Sequence, residues 1–364
     1  MSRTDVVIVG SGPAGAATAI LCAEKGIRVT IVERDESTRQ HPGETLHPGI
    51  EPILGQLGVA KDFLSAGFLR HKGNWVRWED KLCFVPFGDD ERSEPWEGFQ
   101  VRRPDFDNIL LNRAQELGVD VIRSCKALRP IVNENNIVGI ESSQGSLHSS
   151  FVIDAAGSQH WLAKNLGLKI KSFSSPLLTY FGYVEGECKV RNDAPCIVAD
   201  KQGWTWTARI SPHLYQWTRL FFKKQPIDKD WIPKEFHGLK QRGRTLGADV
   251  TWQIVSKPAG LGYFIVGDAT AVLDPASSHG ILKAMMSGMM AAHMISKIIN
   301  DESLEKFAIQ EYSRWVKEWF LHDVKRLKEF YAIHPNPPSW VKDGENLVDL
   351  SKENFSTLTV SQLK

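Results

Sequence analysis

Apolar and polar positions divide the chain into recognisable elements. Asp5 precedes an unbroken apolar run, Val6-Val-Ile-Val9; a glycine turn, a helix-compatible stretch from Pro13 to Lys25 closed by Gly26, and a second apolar segment, Arg28 to Val32, follow. Short continuous apolar runs read as strands covered on both faces, so the chain opens with a β-α-β unit. From about Pro104 to Leu117, the residues Phe106, Ile109, Leu110, Ala114 and Leu117 share one helical face, with proline in the first turn and Gly118 as the stop. Strand-like segments then recur at Val119 to Ile122, Leu128 to Val132, Ile137 to Glu141 and Leu147 to Ile153, and their short polar links predict an antiparallel meander.

Between Pro176 and Ile254 the pattern changes to short aromatic-rich strands without a long helix, a second β layer that the Asn74 to Phe87 segment could join. An apolar strand at Tyr263 to Val266 and a Met-rich helix from about Gly280 to Ile299 restore the first pattern, so the domains are interleaved. The expected division is an α/β, Rossmann-type cofactor domain at residues 1–68, 100–175 and 255–300, a β-rich substrate domain at 69–99 and 176–254, and a C-terminal helix and tail at 301–364. That last helix, roughly Ser303 to Tyr331, carries Tyr312, Trp315, Trp319, Phe320 and Phe330, and a Pro-rich segment, His334 to Pro338, separates it from a polar tail.

With 364 residues, 42% hydrophobic, the chain is long enough for a large core, and a formal charge of +1 offers no broad attraction to nucleic acid or an anionic membrane. A small molecule or a protein is the expected partner. The scattered cysteines, Cys22, Cys83, Cys125, Cys188 and Cys196, form no Cys-x-x-Cys pair and no metal-ligand spacing, which points to free thiols, a cytoplasmic location, no bound metal and no thiol-disulfide chemistry. Glycines and a proline interrupt the apolar run from Val6 to Ala23, so it reads as fold rather than as a secretory signal, and no later stretch is apolar enough to span a bilayer.

Gly10-Ser-Gly12-Pro13-Ala14-Gly15 lies between strand and helix, where the first two glycines permit a tight turn and close phosphate approach, and the third permits close helix packing. The helix N-terminus then faces a pyrophosphate. Glu33 ends the next strand, where a carboxylate accepts hydrogen bonds from a ribose, with Arg34 beside it. This fingerprint alone does not separate NAD from FAD.

The downstream segment Tyr263-Phe-Ile-Val-Gly267-Asp268-Ala-Thr-Ala-Val-Leu-Asp274-Pro275-Ala-Ser-Ser-His279-Gly280 resembles the second FAD motif of group A flavin monooxygenases, flavin-dependent halogenases and prenyl reductases. That resemblance implies non-covalent FAD, Asp268 on the ribityl chain, and Pro275, His279, Gly280 and Ile281 at the flavin ring, where a helix N-terminus favours the anionic reduced flavin. Val101-Arg-Arg103-Pro-Asp-Phe106-Asp107 matches the family's arginine before a helix, which makes Arg103 an expected FAD contact. Val152-Ile-Asp154-Ala-Ala-Gly157 matches its supporting turn, and Cys125-Lys-Ala127 stands where the family places backbone, here that of Ala127, against adenine.

Gly43-Glu44-Thr45-Leu46-His47-Pro48 resembles the Gly-Glu-Ser-Leu segment of halogenase-like flavoproteins and adds Glu44 to the expected cofactor contacts. Gly203-Trp204-Thr-Trp206 is similar to the first half of the halogenase Gly-Trp-x-Trp-x-Ile-Pro motif, but Ala208 and Arg209 replace Ile-Pro. Halogenases also use a lysine to handle hypohalous acid; the matching strand reads Arg70-His71-Lys72, with Arg70 in register, so Lys72 would have to take over that role. The combination most resembles the LodB and GoxB group, which mature quinoprotein amino-acid oxidases. The resemblance implies a monooxygenase that uses reduced FAD and dioxygen to hydroxylate a tryptophan in a quinoprotein precursor during biogenesis of cysteine or lysine tryptophylquinone. Electrons would come from NAD(P)H or a separate flavin reductase.

Other readings stay open: a halogenase or hydroxylase of a free aromatic, a prenyl-chain reductase, or a flavin-binding assembly factor without catalysis. By period two, Trp204 and Trp206 share a strand face and either wall a substrate cavity or pack in the sheet core. Trp315 and Trp319 either receive a partner or cover a domain interface. His47 and His279 are candidates for proton transfer or structural hydrogen bonds.

Overall fold

The computed structural model describes residues 4–37, 42–78, 80–88 and 96–342; the expected polar tail beyond residue 342 lies outside them. A six-stranded sheet runs in the order Ala259–Gly260, Tyr263–Ile265, Phe151–Asp154, Val6–Val9, Val29–Val32, Asp120–Ile122, parallel except at its first pair. Val6–Val9 and Val29–Val32 are buried at every residue, which explains why both read as unbroken apolar runs. Helix α1, Pro13–Glu24, rises from the glycine turn. Two short helices, α2 (Glu51–Gln56) and α3 (Ala60–Ser65), precede α4 (Arg103–Glu116) and α5 (Trp161–Asn165). The Met-rich helix α6 spans Gly280–Asn300 and crosses α1 closely: a Cβ on Gly288 would lie 2.3 Å from the Ala14 carbonyl oxygen.

The expected four-segment meander is corrected. Only Ala127–Asn133, Asn136–Ser142 and Gly145–His148 form it, whereas Asp120–Ile122 and Phe151–Asp154 belong to the parallel sheet. The apolar positions from Leu147 to Ile153 belong to two strands, because Ser149 and Ser150 carry the chain from one sheet to the other.

A seven-stranded sheet forms the second layer in the order Lys240–Asp249, Leu178–Glu185, Leu214–Phe221, Gly203–Ser211, Cys196–Asp200, Gly73–Arg77, Cys83–Pro86. Its strands reach 8 to 10 residues, longer than the sequence pattern indicates. Helix α7, Glu305–Ala332, lies across both layers: Tyr312 Oη donates to the Ile265 carbonyl at 2.7 Å in the parallel sheet, and Trp204 Nε1 of the second sheet donates to Tyr331 Oη at 2.8 Å. Tyr312, Val316, Phe320, Val324 and Tyr331 are buried, and Trp315 and Trp319 pack against the same core. No helix among the described residues is long and apolar enough to cross a membrane.

Candidate active site

Strand end and helix start force the glycine turn. Gly10 has φ +106°, and a Cβ there would sit 2.5 Å from the Ala155 carbonyl oxygen; a Cβ on Gly15 would sit 2.1 Å from the Gly10 carbonyl oxygen. Gly12 differs, because its Cβ would have nothing within 4 Å. Pro13 occupies the first turn of α1, and Ala14 is buried behind it. Glu33 accepts hydrogen bonds from Ser11 N at 2.9 Å, Ser11 Oγ at 2.7 Å and Asp35 N at 3.1 Å. Burial raises its pKa, but these donors and the Arg34 charge outweigh burial, so the carboxyl stays below its ordinary range. Arg34 itself is exposed and pairs with Asp35 at 3.6 Å. Cys125 N donates to the Glu33 carbonyl at 2.8 Å, which brings the Cys125-Lys-Ala127 segment to the same end of the sheet; Ala127 is buried.

A second cluster surrounds Arg103. Its Nε and Nη2 bind both oxygens of Asp107, each at 3.0 Å, and Nη1 donates to the Pro42 carbonyl at 2.6 Å. Gly43, at φ +105°, closes on this guanidinium: a Cβ there would lie 3.0 Å from Arg103 Nη1 and 3.4 Å from Ile281. Glu44, 3% exposed, accepts a short hydrogen bond from Tyr183 Oη on the seven-stranded sheet. Burial pushes its carboxyl up to about 7, against the lowering effects of Tyr183 and Arg103.

The third segment runs from Gly267 to Gly280. Ser287 Oγ accepts from Gly267 N at 2.8 Å. Asp268 lines an open cleft, reachable by solvent yet surrounded by protein, and that surrounding raises its pKa against the pull of Arg103. The cleft is lined by Asp268, Ser277, His279, Gly280, Lys283 and Trp319 among others. Pro275 and Gly280 are exposed, and His279 immediately precedes α6. His279 and His47 bring their ring centroids to 5.0 Å. Burial and then the His47 ring pull His279 down to about 4; burial and then Arg326 lower His47. His279 is therefore neutral at pH 7. His47 Nδ1 accepts from Gly49 N at 3.0 Å, so its Nε2 carries the proton.

Residues 3–213 match the family described as an FAD binding domain. A 1H-pyrrole-2-carbonyl-(peptidyl-carrier protein) brominase of Pseudoalteromonas luteoviolacea is 31% identical, covering 85% of this chain and 82% of its own. The chain belongs to the FAD-binding halogenase and monooxygenase family. The flavoprotein is also 28% identical to a tryptophan 2-halogenase of Chondromyces crocatus, over 99% of this chain and 73% of the relative. Among solved structures it matches the myxobacterial chondrochloren halogenase CndH with a TM-score of 0.84 at 21% identity, covering 96% of this chain and 89% of that one. It also matches the peptidyl tryptophan dihydroxylase QhpG, essential for tryptophylquinone cofactor biogenesis, with a TM-score of 0.71 at 19% identity over 93% and 78%. The protein is an FAD-dependent oxidoreductase with the mixed α/β fold of this family and a C-terminal helical segment.

The residues present suit FAD. The open space over Gly12 at the start of α1 admits a pyrophosphate, and the ionised Glu33 carboxylate stands at the neighbouring strand end. Gly43 lies against Arg103 and Ile281, and the Arg103 charge acts on Asp268, which lines the adjoining cleft. Among the described residues, no cluster of His, Cys, Asp and Glu could hold a metal ion.

The two tryptophans of the flavoprotein's Gly-Trp-x-Trp segment separate. Trp204 is 1% exposed and donates to Tyr331, deep in the core, whereas Trp206 is half-buried. Lys72 is exposed. Arg70 is held at the surface by Glu51 at 2.5 Å and Glu97 at 3.0 Å and lies over the Phe99 ring.

Sequence reasoning did not single out Tyr183, Lys283 or Asp323. Lys283 Nζ lies 5.0 Å from the Trp319 ring centroid and 3.7 Å from Asp323, at the edge of the cleft. Lys283 falls one turn beyond Gly280 and was accessible to helical spacing; Tyr183, 139 positions from Glu44, was not.

Glu44 sets a pH dependence. With an ordinary value of 4.5 unfolded and about 7 folded, the native state holds a proton that the unfolded chain has lost. The associated stability is complete below pH 4.5 and is lost as pH rises through 7. Relative to Glu44→Gln, the wild-type apoprotein should lose about 3 kcal/mol across that interval. Denaturant titrations of both at pH 5 and pH 8 check this; a constant difference would contradict it.

Proposed function

We propose that the flavoprotein uses reduced FAD and dioxygen to oxygenate the indole of a tryptophan in a partner protein, a quinoprotein oxidase precursor, during biogenesis of its tryptophan-derived quinone. The observation that carries this reading is that the strand Leu69–His71 offers no lysine for hypohalous acid: Arg70 is committed to two carboxylates, and Lys72 lies exposed in the bend after the strand. The peptidyl tryptophan dihydroxylase activity of the structural neighbour QhpG and the tryptophan specificity of the C. crocatus relative support the choice of indole.

FAD, once bound and reduced, supplies the activated oxygen. Gly10, Gly12, Pro13, Ala14 and Gly15 would seat its pyrophosphate, Glu33 its ribose, with Arg34 and Ala127 toward the adenosine end. Glu44, Arg103, Gly267, Asp268, Pro275, His279, Gly280 and Ile281 would surround its flavin half. His47 presents its Nε2–H as a proton donor beside the His279 ring, and the α6 N-terminus stabilises negative charge that develops beside it. Trp206, half-buried on the seven-stranded sheet, would wall the indole. The reductant is NAD(P)H or a separate reductase, and the setting is cytoplasmic.

The test is intact and peptide mass spectrometry of an unmodified precursor after turnover in ¹⁸O-labelled dioxygen. Labelled oxygen on one tryptophan supports the reading; complete reoxidation of the flavin with no label in the precursor contradicts it. A second reading, halogenation of a free or carrier-held aromatic, is favoured by the activities of both curated relatives. It predicts halide-dependent mass gain on the small aromatic without any quinoprotein.

A further inference from the structure

Between residues 274 and 280, where the chain approaches the flavin site and starts α6, only Asp274 is buried; Pro275, Ser278 and Gly280 are exposed and the rest half-buried. Ser278 adopts φ +56°, a left-handed conformation unusual for a residue with a Cβ, so the loop's shape is not a local preference of its sequence. The Asp274 carboxylate ties this loop to elements outside it.

That carboxylate is 0% exposed. Oδ1 accepts from Ala276 N at 2.9 Å and so folds the loop's own 3₁₀ turn. Oδ2 accepts from Trp252 Nε1 at 2.6 Å and from Tyr331 Oη at 3.0 Å, and Tyr331 Oη in turn accepts from Trp204 Nε1 at 2.8 Å. The three donors to the acid, Ala276 N, Trp252 Nε1 and Tyr331 Oη, are all neutral. Two of them come from outside the loop, Trp252 from the residue preceding the strand Gln253–Val255 and Tyr331 from the last turn of α7, and Trp204 of the strand Gly203–Ser211 reaches the acid only through Tyr331. Packing holds the Tyr331 ring independently of its hydroxyl, with Phe222 at 5.3 Å, Trp252 at 5.9 Å and Trp340 at 6.1 Å.

We propose that Tyr331 and Asp274 are positioning residues for the flavin loop: Trp204, Tyr331 and Asp274 form a relay by which α7 and the seven-stranded sheet set where the α6 N-terminus meets the flavin ring. The relay is independent of which aromatic is the substrate. It assigns Trp204, through its indole N–H, a place in cofactor geometry without any contact with substrate. Hydrogen bonds to a buried carboxylate are stronger than those between neutral groups, and losing one donor leaves the acid under-solvated, so the loop shifts toward other donors.

Tyr331→Phe tests this, because it removes the hydroxyl and leaves the ring. The readouts are FAD affinity from fluorescence titration of the apoprotein, the visible band positions of the bound flavin, and the apoprotein melting temperature. Tyr331→Phe should weaken FAD binding roughly tenfold and shift the flavin bands. Trp204→Phe should shift them in the same direction by less, and the double variant should be no worse than Tyr331→Phe, since both act through one oxygen. His334→Gln serves as control: His334 Nε2 contacts the Gly203 carbonyl at 3.1 Å and does not touch Asp274, so it should change the melting temperature alone. If Tyr331→Phe does not fold, Trp204→Phe carries the same readouts with a roughly threefold expected loss. A folded variant with a lower melting temperature but wild-type FAD affinity and flavin bands would overturn the proposal.

Discussion

Replacing Gly12 by valine should abolish FAD binding while leaving the apoprotein as stable as the wild type. The backbone at Gly12 has φ −67° and ψ −179°, values that any residue adopts, and a Cβ there meets nothing within 4 Å. The added methyls therefore cost the empty protein little. They fill the space where a pyrophosphate approaches the α1 N-terminus, and at least a hundredfold loss of affinity, about 3 kcal/mol, is expected. Gly10→Ala provides the contrast. Its Cβ would press on the Ala155 carbonyl oxygen at 2.5 Å in a left-handed backbone, so it should lower both stability and affinity. Flavin fluorescence quenching and thermal melting of the two apoproteins separate the effects. A Gly12→Val protein that bound FAD like the wild type would remove the cofactor from this turn.

Trp204→Ala should destabilise the protein by about 3–5 kcal/mol, lowering its melting temperature by roughly 4–7 °C. Trp204 is 1% exposed within the main core, and its loss leaves both a cavity and Tyr331 without its donor. Trp206→Ala, at a half-buried position two residues along the strand, should cost less than half as much. Calorimetry of the holoproteins compares them. Trp204→Ala with a wild-type melting temperature and no turnover would mean that Trp204 lines a substrate cavity after all.

The parts of this fold with local causes were legible in the sequence. Gly10 and Gly15 are required by contacts to a neighbouring turn or strand end, and the strand-glycine-helix order carries that requirement on its face. The Arg103–Asp107 ion pair, one helical turn apart, was within reach of helical spacing, but the family resemblance marks Arg103 only as a cofactor contact.

What escaped the sequence is tertiary. Glu44 meets Tyr183 across 139 positions, and Asp274 meets Tyr331 across 57, with no periodicity to announce either. Trp204 and Trp206 are equivalent by strand period, yet α7 packs over one and supplies its acceptor, which no property of the strand contains. The short helices α2 and α3, six residues each, carry too few turns for an apolar period to emerge. The misassigned meander failed for a related reason: alternation identifies a strand but not the sheet it joins.

The distinction between a protein-borne indole and a free aromatic rests most directly on one measurement: mass spectrometry of free tryptophan incubated with the reduced holoprotein, dioxygen and bromide. The account predicts flavin reoxidation with neither brominated nor hydroxylated tryptophan. Bromotryptophan or hydroxytryptophan, formed at the rate of flavin turnover, would contradict it and make this flavoprotein a small-molecule enzyme.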